Sequence, residues 1–235
     1  MEDKYMIIDG IRCPFTDERN VLEVARNNGI EIPSLCYCES LSVYEGCRLC
    51  IVEKEDGMVD TSCSFAPEQG MVVYTNTPRV QKNRRMILEL LLGNHHTECT
   101  TCDKAGTCKL LEYCTRYRVS TARRGNLHTI PPIDDSSVCV VRDPSKCVLC
   151  GQCVRMCDEV QNVKALAFYH RGSHSYVAPV ENKLLADTDC VGCGQCASIC
   201  PTGALTVKND IDRFWNMIHD KKHKVVVQVA PSVRV

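Results

Sequence analysis

Two nearly identical cysteine-rich stretches lie in the second half of the chain, CVLCGQCVRMC at residues 147–157 and CVGCGQCASICP at residues 190–201. Each places four thiols at the spacing C-x2-C-x2-C-x3-C, and the whole chain contains 19 cysteines in 235 residues. Thiolates are preferred ligands of zinc and of iron–sulfur clusters. The two stretches therefore predict metal chemistry, and their spacing indicates which kind.

The repeated spacing is that of bacterial ferredoxins with two 4Fe–4S clusters, in which the fourth cysteine of each motif binds the cluster of the other motif. Gly151, Gly192 and Gly194 would let the loop backbone approach a cluster closely. Zinc is the alternative, but a tetrahedral ion has no use for eight thiolates in this pattern. We therefore expect one 4Fe–4S cluster on Cys147, Cys150, Cys153 and Cys200, and another on Cys190, Cys193, Cys196 and Cys157.

A histidine and three cysteines form a third candidate site, His95, Cys99, Cys102 and Cys108. We expect a 4Fe–4S cluster here, with a potential less negative than that of an all-thiolate cluster, because an imidazole ligand removes one negative charge, as it does in Rieske centres. A zinc site with the same three cysteines and one histidine is the alternative. His96 could replace the histidine ligand, and Cys114 could replace one of the cysteines.

A fourth candidate site follows the pattern C-x10-C-x2-C-x12-C, with Cys36, Cys47, Cys50 and Cys63. One close pair with two distant thiolates suits a 2Fe–2S cluster held by a loop and a strand end, and the plant-type ferredoxin spacing follows the same logic. A zinc site made of four cysteines, which normally uses two close pairs, is the alternative. Cys38 competes with Cys36. The cysteines left over are expected to be small buried hydrophobic residues: Cys13, Cys38, Cys114 and Cys139.

Composition narrows the classes of protein that fit these motifs. The formal net charge of −1 provides no basic field for nucleic acid or an anionic membrane. The start MEDKYMIIDG lacks the pattern of a signal peptide, and no apolar run approaches the length of a membrane span. We therefore expect a cytoplasmic chain, in which the thiols would not persist as disulfides.

Hydrophobic patterns and turn residues predict the elements that position these ligands. In the N-terminal part, two hairpins should turn at residues 9–10 and 56–57, both Asp-Gly, with a further strand at 71–74. A short helix capped by Thr16 should lie between the hairpins. A longer helix should open at Thr77 and Pro78 and end at Gly93. Between the repeated motifs, a hairpin should turn near Gly172.

The order of the four motifs resembles the N-terminal iron–sulfur region of iron-only hydrogenase catalytic subunits, of the multisubunit NAD(P)-linked and electron-bifurcating type. It is similar also to the iron–sulfur diaphorase subunit of NAD-reducing nickel–iron hydrogenases and to the large iron–sulfur subunit of respiratory complex I. The segment KVVVQVAPSVRV at 224–235 looks like the opening strand of the hydrogen-activating domain. No cysteine follows Cys200, so ligands for the catalytic H-cluster are absent from this sequence.

This resemblance implies an α+β chain of three units and a tail. The units are a plant-type 2Fe–2S ferredoxin (β-grasp-like) unit at residues 1–77, a small helical 4Fe–4S unit with the histidine and three cysteines at 78–122, and a bacterial two-4Fe–4S ferredoxin unit at 137–209. Residues 210–235 would be a linker and the first strand of a missing or vestigial hydrogenase domain. The expected cofactors are one 2Fe–2S cluster and three 4Fe–4S clusters.

The implied function is electron transfer between an NAD(P)H-oxidising flavoprotein subunit, which carries FMN, and a hydrogenase active site. A thioredoxin-like 2Fe–2S subunit and ferredoxin are the further partners that the resemblance implies. The sequence has no G-x-G-x-x-G after a strand and no P-loop, so nucleotide should bind elsewhere. The alternative function is a free-standing multi-cluster carrier, or a relay of another NADH-linked oxidoreductase such as formate dehydrogenase.

Overall fold

A computed structural model of the chain describes residues 4–120, 131–220, 222 and 224–230. It is a mixed helix-and-sheet protein, as expected. The predicted unit boundary at residue 122 and the end of the predicted tail strand, residues 231–235, lie outside the described residues. Within the described residues, no helix is both long enough and apolar enough to cross a membrane.

Five short strands form the first sheet: β1 (Tyr5–Ile8), β2 (Ile11–Pro14), β3 (Ile51–Lys54), β4 (Val59–Thr61) and β5 (Val72–Tyr74). Their order is β2-β1-β5-β3-β4, with β5 parallel to β1. Asp9 and Gly10 both have positive φ, 51° and 82°, as a tight two-residue hairpin requires. The two Asp-Gly hairpins are therefore confirmed, and so is the further strand predicted at 71–74, which is β5.

Helix α1 (Val21–Asn27) packs its apolar face against this sheet. The expected cap, Thr16, is wrong. Asn20 caps the helix, and its side-chain oxygen accepts a hydrogen bond from the backbone N–H of Glu23 at 3.1 Å. Asn20 directly precedes the first buried apolar residue, so it caps the helix without an extra turn. Thr16 instead donates to Asp17 Oδ1 at 2.9 Å.

Helix α2 (Pro78–Leu92) begins and ends as predicted, with Thr77 accepting from the Val80 N–H at 3.2 Å and Gly93 at the C-terminus. A short 3-10 turn (Cys99–Thr101) and helix α3 (Lys109–Tyr117) follow. A buried apolar cluster joins the two helices to the loop around Cys36 and Cys47 and to Cys150 of the repeated motif. The first unit and the repeated motifs therefore share a core.

The repeated motifs lie on two short antiparallel pairs and two helices. Strands β6 (Val140–Arg142) and β9 (Leu205–Val207) form one pair, and β7 (Leu166–Tyr169) and β8 (Tyr176–Pro179) form the other. The β7–β8 pair is the hairpin predicted to turn near Gly172, and it is confirmed. Helix α4 (Gln152–Arg155) continues into a π-helical turn (Met156–Val160), and α5 (Gln195–Ile199) is its counterpart in the second motif.

A final helix, α6 (Ile211–His219), occupies the start of the segment expected to be a linker, and the sequence analysis missed it. Its apolar residues Phe214, Trp215 and Ile218 recur at helical spacing and remain exposed. Residues 224–230, expected to open a strand, have no strand assignment. A strand needs a hydrogen-bonded neighbour, and these residues find none in the described part of the chain.

Candidate metal centres

The thiols of Cys36, Cys47, Cys50 and Cys63 converge in a dry environment, each at most 3% exposed. We call this set the 2Fe–2S site. Cys50 Sγ donates to Cys63 Sγ at 3.4 Å, and the N–H of Leu35 donates to Cys47 Sγ at 3.3 Å. The hydrogen bond between Cys36 and Cys47 raises the pKa of Cys36 and lowers the pKa of Cys47 to about 6. The four sulfurs therefore act on one another as a single group.

Cys38, the alternative ligand, lies apart from this group. It is partly exposed, and its Sγ lies 3.1 Å from Ser40 Oγ. Local backbone geometry accounts for the difference, because Cys36 lies in the core shared with α2 and α3 whereas Cys38 leads into the exposed turn that follows. The structure thus brings Cys36, rather than Cys38, to the other three thiols.

His95, Cys99 and Cys108 line a cavity of about 550 Å³ beside α3, and Cys114 lines it too. We call His95, Cys99, Cys102 and Cys108 the histidine site. His95 Nδ1 is buried without a hydrogen-bond partner in the described part of the chain, and burial lowers the pKa of this imidazole, which favours the neutral form that binds metal. His96 is half exposed, with Nε2 3.4 Å from Glu98 Oε1.

Cys102 does not line this cavity. Its Sγ faces the repeated motifs, 2.8 Å from the position a Cβ on Gly203 would take. Its charge still acts on Cys108, whose pKa is raised first by burial and then by Cys102 and Cys99. The structure therefore brings three of the four predicted residues to one cavity. The fourth, Cys102, lies where this cavity region meets the repeated motifs.

The repeated motifs form two further cavities, each small, with a volume of about 20 Å³. Cysteines from both motifs line each cavity. One, which we call the first crossed site, is lined by Cys147, Cys150, Cys153 and Cys200. The other, the second crossed site, is lined by Cys190, Cys193, Cys196 and Cys157. The structure thus brings together both sets of four thiols that the spacing predicted.

Positive backbone φ angles shape the two motif loops in the same way. Gly151 and Gly194 precede α4 and α5 with φ of 68° and 72°, and Leu149 and Gly192 occupy the equivalent earlier positions with φ of 55° and 67°. Such angles favour glycine because a Cβ is crowded there. The shared conformation explains why, in each motif, the first three cysteines face the same cavity, a separate one for each motif.

The fourth cysteine of each motif leaves this loop by a different route. Cys157 lies in the π-helical turn after α4, a kind of helix widening that is frequent at functional sites, and its Sγ accepts the Ala165 N–H at 3.3 Å. Cys200 ends α5 in extended conformation, and Pro201 prevents the helix from continuing. Both fourth cysteines therefore reach the cavity of the opposite motif.

Buried polar atoms support clusters rather than an apolar interior at these sites. Among the described residues, three buried side-chain nitrogens lack a hydrogen-bond partner: His95 Nδ1, Arg142 Nε and Arg155 Nε. His95 lines the cavity of the histidine site and Arg142 that of the first crossed site, while Arg155 donates to the carbonyls of Cys36 and Cys150. Arg142 Nε still lies 3.9 Å from Asp134 Oδ2, so His95 Nδ1 is the buried nitrogen that most favours a bound cluster, as a ligand to its iron.

In the described ranges, no group of three His, Cys, Asp or Glu side chains has the geometry of a site for a single metal ion. The donor set at each site suits an iron–sulfur cluster: four thiolates at the 2Fe–2S site and at each crossed site, and three thiolates with an imidazole at the histidine site.

Two buried arginines beside these sites were missed by the sequence analysis. Arg84 of α2 donates to the carbonyl oxygens of Leu49 at 3.1 Å and Ile51 at 2.6 Å, which flank Cys50. Arg155 of α4 donates to the carbonyl oxygen of Cys36. An arginine in a helix pattern normally indicates a solvent-facing position, so nothing in the sequence pattern signalled the buried role of either residue.

Three family models match the chain, in the same order as the candidate sites. They are the 2Fe-2S iron-sulfur cluster binding domain at residues 6–78, the NADH-ubiquinone oxidoreductase-G iron-sulfur binding region at 84–123, and the ferredoxin-like domain of NADH-quinone oxidoreductase subunit 3 at 137–206. With the convergent thiols, they define an iron–sulfur protein built from 2Fe–2S and 4Fe–4S ferredoxin-like domains.

A chain of the NAD+-reducing [NiFe]-hydrogenase, in a crystal structure of its H2-reduced state, superposes with a TM-score of 0.81 and 30% identity over 87% of each chain. The chain therefore belongs to the family of iron–sulfur electron-transfer subunits found in NAD(P)-linked hydrogenases and in complex I-type NADH dehydrogenases.

Curated relatives come from both branches of this family. The NADP-reducing hydrogenase subunit HndD of Solidesulfovibrio fructosivorans is 36% identical over 97% of this chain, and an NADH-quinone oxidoreductase subunit of Rhizobium meliloti is 36% identical over 79%. Iron hydrogenase 1 of Clostridium pasteurianum is 30% identical over 98%. The chain spans 40% of the first of these, 22% of the second and 41% of the third.

Proposed function

We propose that this chain is an electron relay that holds one 2Fe–2S and three 4Fe–4S clusters. Cys36, Cys47, Cys50 and Cys63 would hold the 2Fe–2S cluster, and the histidine site and the two crossed sites would each hold a 4Fe–4S cluster. Bound clusters supply one-electron redox chemistry. The observation that carries the proposal is the exchange of Cys157 and Cys200 between the two motif cavities, a pattern with no use in a zinc protein.

The first crossed site is the junction of this relay. Burial raises the pKa of Cys150 and of Cys153, and smaller contributions come from the charge of Cys47 in the 2Fe–2S site and of Cys196 in the second crossed site, respectively. On the histidine side, the His96 N–H donates to the Ser145 carbonyl at 2.9 Å, just before Cys147. Each of the other three sites therefore has a neighbour in the first crossed site, as successive electron transfers require.

This chain's own residues bind and insulate the clusters. Burial raises the pKa of the Cys147 thiol to about 11 and of Cys150 and Cys196 to about 12, so these sulfurs need cluster iron to stay deprotonated. The same burial limits the access of water to these three sulfurs. Electron transfer through them requires no proton movement by these residues.

The relatives' names guide the choice of partners. Relatives include NAD(P)-linked hydrogenases, so we propose an FMN-bearing, NAD(P)H-oxidising flavoprotein subunit as donor, a thioredoxin-like 2Fe–2S subunit beside it, and a hydrogenase domain or subunit as acceptor. Electron bifurcation with ferredoxin belongs to the same proposal. The assembly would work in the cytoplasm, and the three units would keep the boundaries 1–77, 78–122 and 137–209, the first with a β-grasp-like fold.

The test is purification of the tagged chain, under anaerobic conditions, from cells that express it at native level. The relay proposal expects flavin to co-purify, and NADH or NADPH to bleach the cluster absorbance of the complex but not of the isolated chain. A chain that elutes alone, carries clusters and exchanges electrons directly with a small redox protein would favour the free-standing carrier instead.

A further inference from the structure

The guanidinium of Arg155 lies between the 2Fe–2S site and the first crossed site. Its Nη2 donates to the carbonyl oxygen of Cys36 at 2.6 Å and lies 3.5 Å from that of Cys150. Its Nη1 donates to the carbonyl oxygen of Ser42, in the loop between Cys36 and Cys47. One side chain thus bridges the backbone at a proposed ligand of each of two clusters.

The same loop is held from a second position one helical turn later. Glu159 accepts hydrogen bonds from the backbone N–H of Ser42 at 2.8 Å and from its hydroxyl at 2.5 Å. Gln152 adds a third contact, from Nε2 to the carbonyl oxygen of Tyr37 at 3.3 Å. The helix that carries Cys153 therefore fixes the 2Fe–2S loop at several points.

Aromatic packing keeps the guanidinium dry. Arg155 is 8% exposed, and its Cζ lies 5.3 Å from the ring centroid of Tyr44. Tyr44 stacks on Phe168 with centroids 5.7 Å apart and an interplanar angle of 14°. A Cβ on Gly151 would come within 3.1 Å of Phe168 and 3.3 Å of Tyr44, so the glycine gives this pair its space. A dry positive charge acts more strongly on its neighbours than an exposed one.

Among the described residues, no carboxylate lies within 4.0 Å of the Arg155 guanidinium. Glu159, which binds the same Ser42, is the carboxylate whose charge interacts with Arg155 from beyond that distance. Reduction adds one negative charge to a cluster, and a fixed positive charge nearby stabilises the reduced form.

We propose that Arg155 is a positioning residue that sets both the separation and the reduction potentials of the 2Fe–2S site and the first crossed site. The inference rests on the proposed function, because it assumes a cluster at each site. It extends that function by assigning the control of one electron-transfer step to a side chain that binds no iron.

The experiment is potentiometric titration of the cluster-loaded chain, monitored by EPR, for the wild type, Arg155→Met and Arg155→Lys. Methionine keeps the length but removes the charge and the donors. Lysine keeps the charge but cannot donate to Cys36 and Ser42 together in the same geometry. Arg12→Met is the matched control, because Arg12 also packs over a tyrosine, with Cζ 4.0 Å from the ring centroid of Tyr5, but is exposed.

Arg155→Met should shift the potentials of both clusters to lower values and leave that of the histidine site unchanged. Arg155→Lys should give a smaller shift in the same direction, and Arg12→Met none. If Arg155→Met does not retain its clusters, the lysine variant alone decides. Intact clusters with unmoved potentials, or a shift at only one of the two sites, would overturn the inference. A wild-type chain that binds no cluster would instead overturn the proposed function.

Discussion

Cys200 and Cys147 line one cavity, although they belong to different cysteine motifs. Burial raises the pKa of Cys147 to about 11, and the charge of Cys200 contributes to this rise, so the two thiols lie near enough for their charges to interact. Cys157 makes the reciprocal crossing to Cys196. Each motif is therefore incomplete alone, and the chain needs both copies to close either cavity.

The crossing predicts which cluster each substitution damages. Cys157→Ser should perturb the cluster of Cys190, Cys193 and Cys196, with a shifted potential or conversion to a three-iron form, because serine is a harder ligand than cysteine. The cluster of Cys147, Cys150 and Cys153 should stay intact. Cys200→Ser is the matched control and should have the opposite pattern. EPR of the oxidised and reduced variants measures this, and damage confined to each motif's own cluster would contradict it.

The histidine site predicts a change of potential with ligand charge. His95→Cys should retain a cluster and lower its midpoint potential, because a thiolate adds a negative charge where imidazole added none. His95→Ala should lose the cluster or make it labile. His96→Ala is the control, since His96 is half exposed and faces Glu98, and it should change neither. Redox titration of the three variants measures these effects. Loss of the cluster in His96→Ala but not in His95→Ala would assign His96 as the ligand.

The 2Fe–2S site predicts a sharp difference between two cysteines in one loop. Cys36→Ser should alter the visible and EPR spectra of the 2Fe–2S cluster, since this thiol lies among Cys47, Cys50 and Cys63. Cys38→Ser should leave both spectra unchanged, because Cys38 faces Ser40 at a partly exposed position. The opposite result would assign Cys38 as the ligand.

The convergence of the crossed cysteine sets could be predicted from sequence because the spacing within each motif is short and fixes the loop that carries the first three thiols. Strand ends and caps were less predictable, and Asn20 replaced Thr16 because several polar residues precede α1 and only the fold selects among them. Arg155 was beyond sequence reasoning, since its contacts join residues far apart in the chain. Helix α6 was missed because the start of the segment 210–235 was assigned to a linker, although its apolar residues recur at helical spacing.

The motif loops predict a graded loss of stability on glycine replacement. Gly194→Ala should cost about 1 kcal/mol, the typical penalty for a Cβ in the left-handed region, because nothing lies within 4 Å of the new atom. Gly151→Ala should cost more, because its Cβ also meets Phe168 at 3.1 Å. The urea midpoint of the cluster-loaded chain, followed by loss of cluster absorbance, tests the order. Equal midpoints for the two variants would contradict it, because they would mean that Tyr44 and Phe168 move aside without cost.

Iron and acid-labile sulfide analysis of anaerobically prepared chain, with zinc measured in parallel, tests the four-cluster account most directly. The account predicts about 14 iron atoms and about 14 sulfides per chain, from one 2Fe–2S and three 4Fe–4S clusters, with no stoichiometric zinc. About 10 iron atoms with one zinc per chain would contradict it, because the histidine site would then be a zinc site and the relay would lose one of its four clusters.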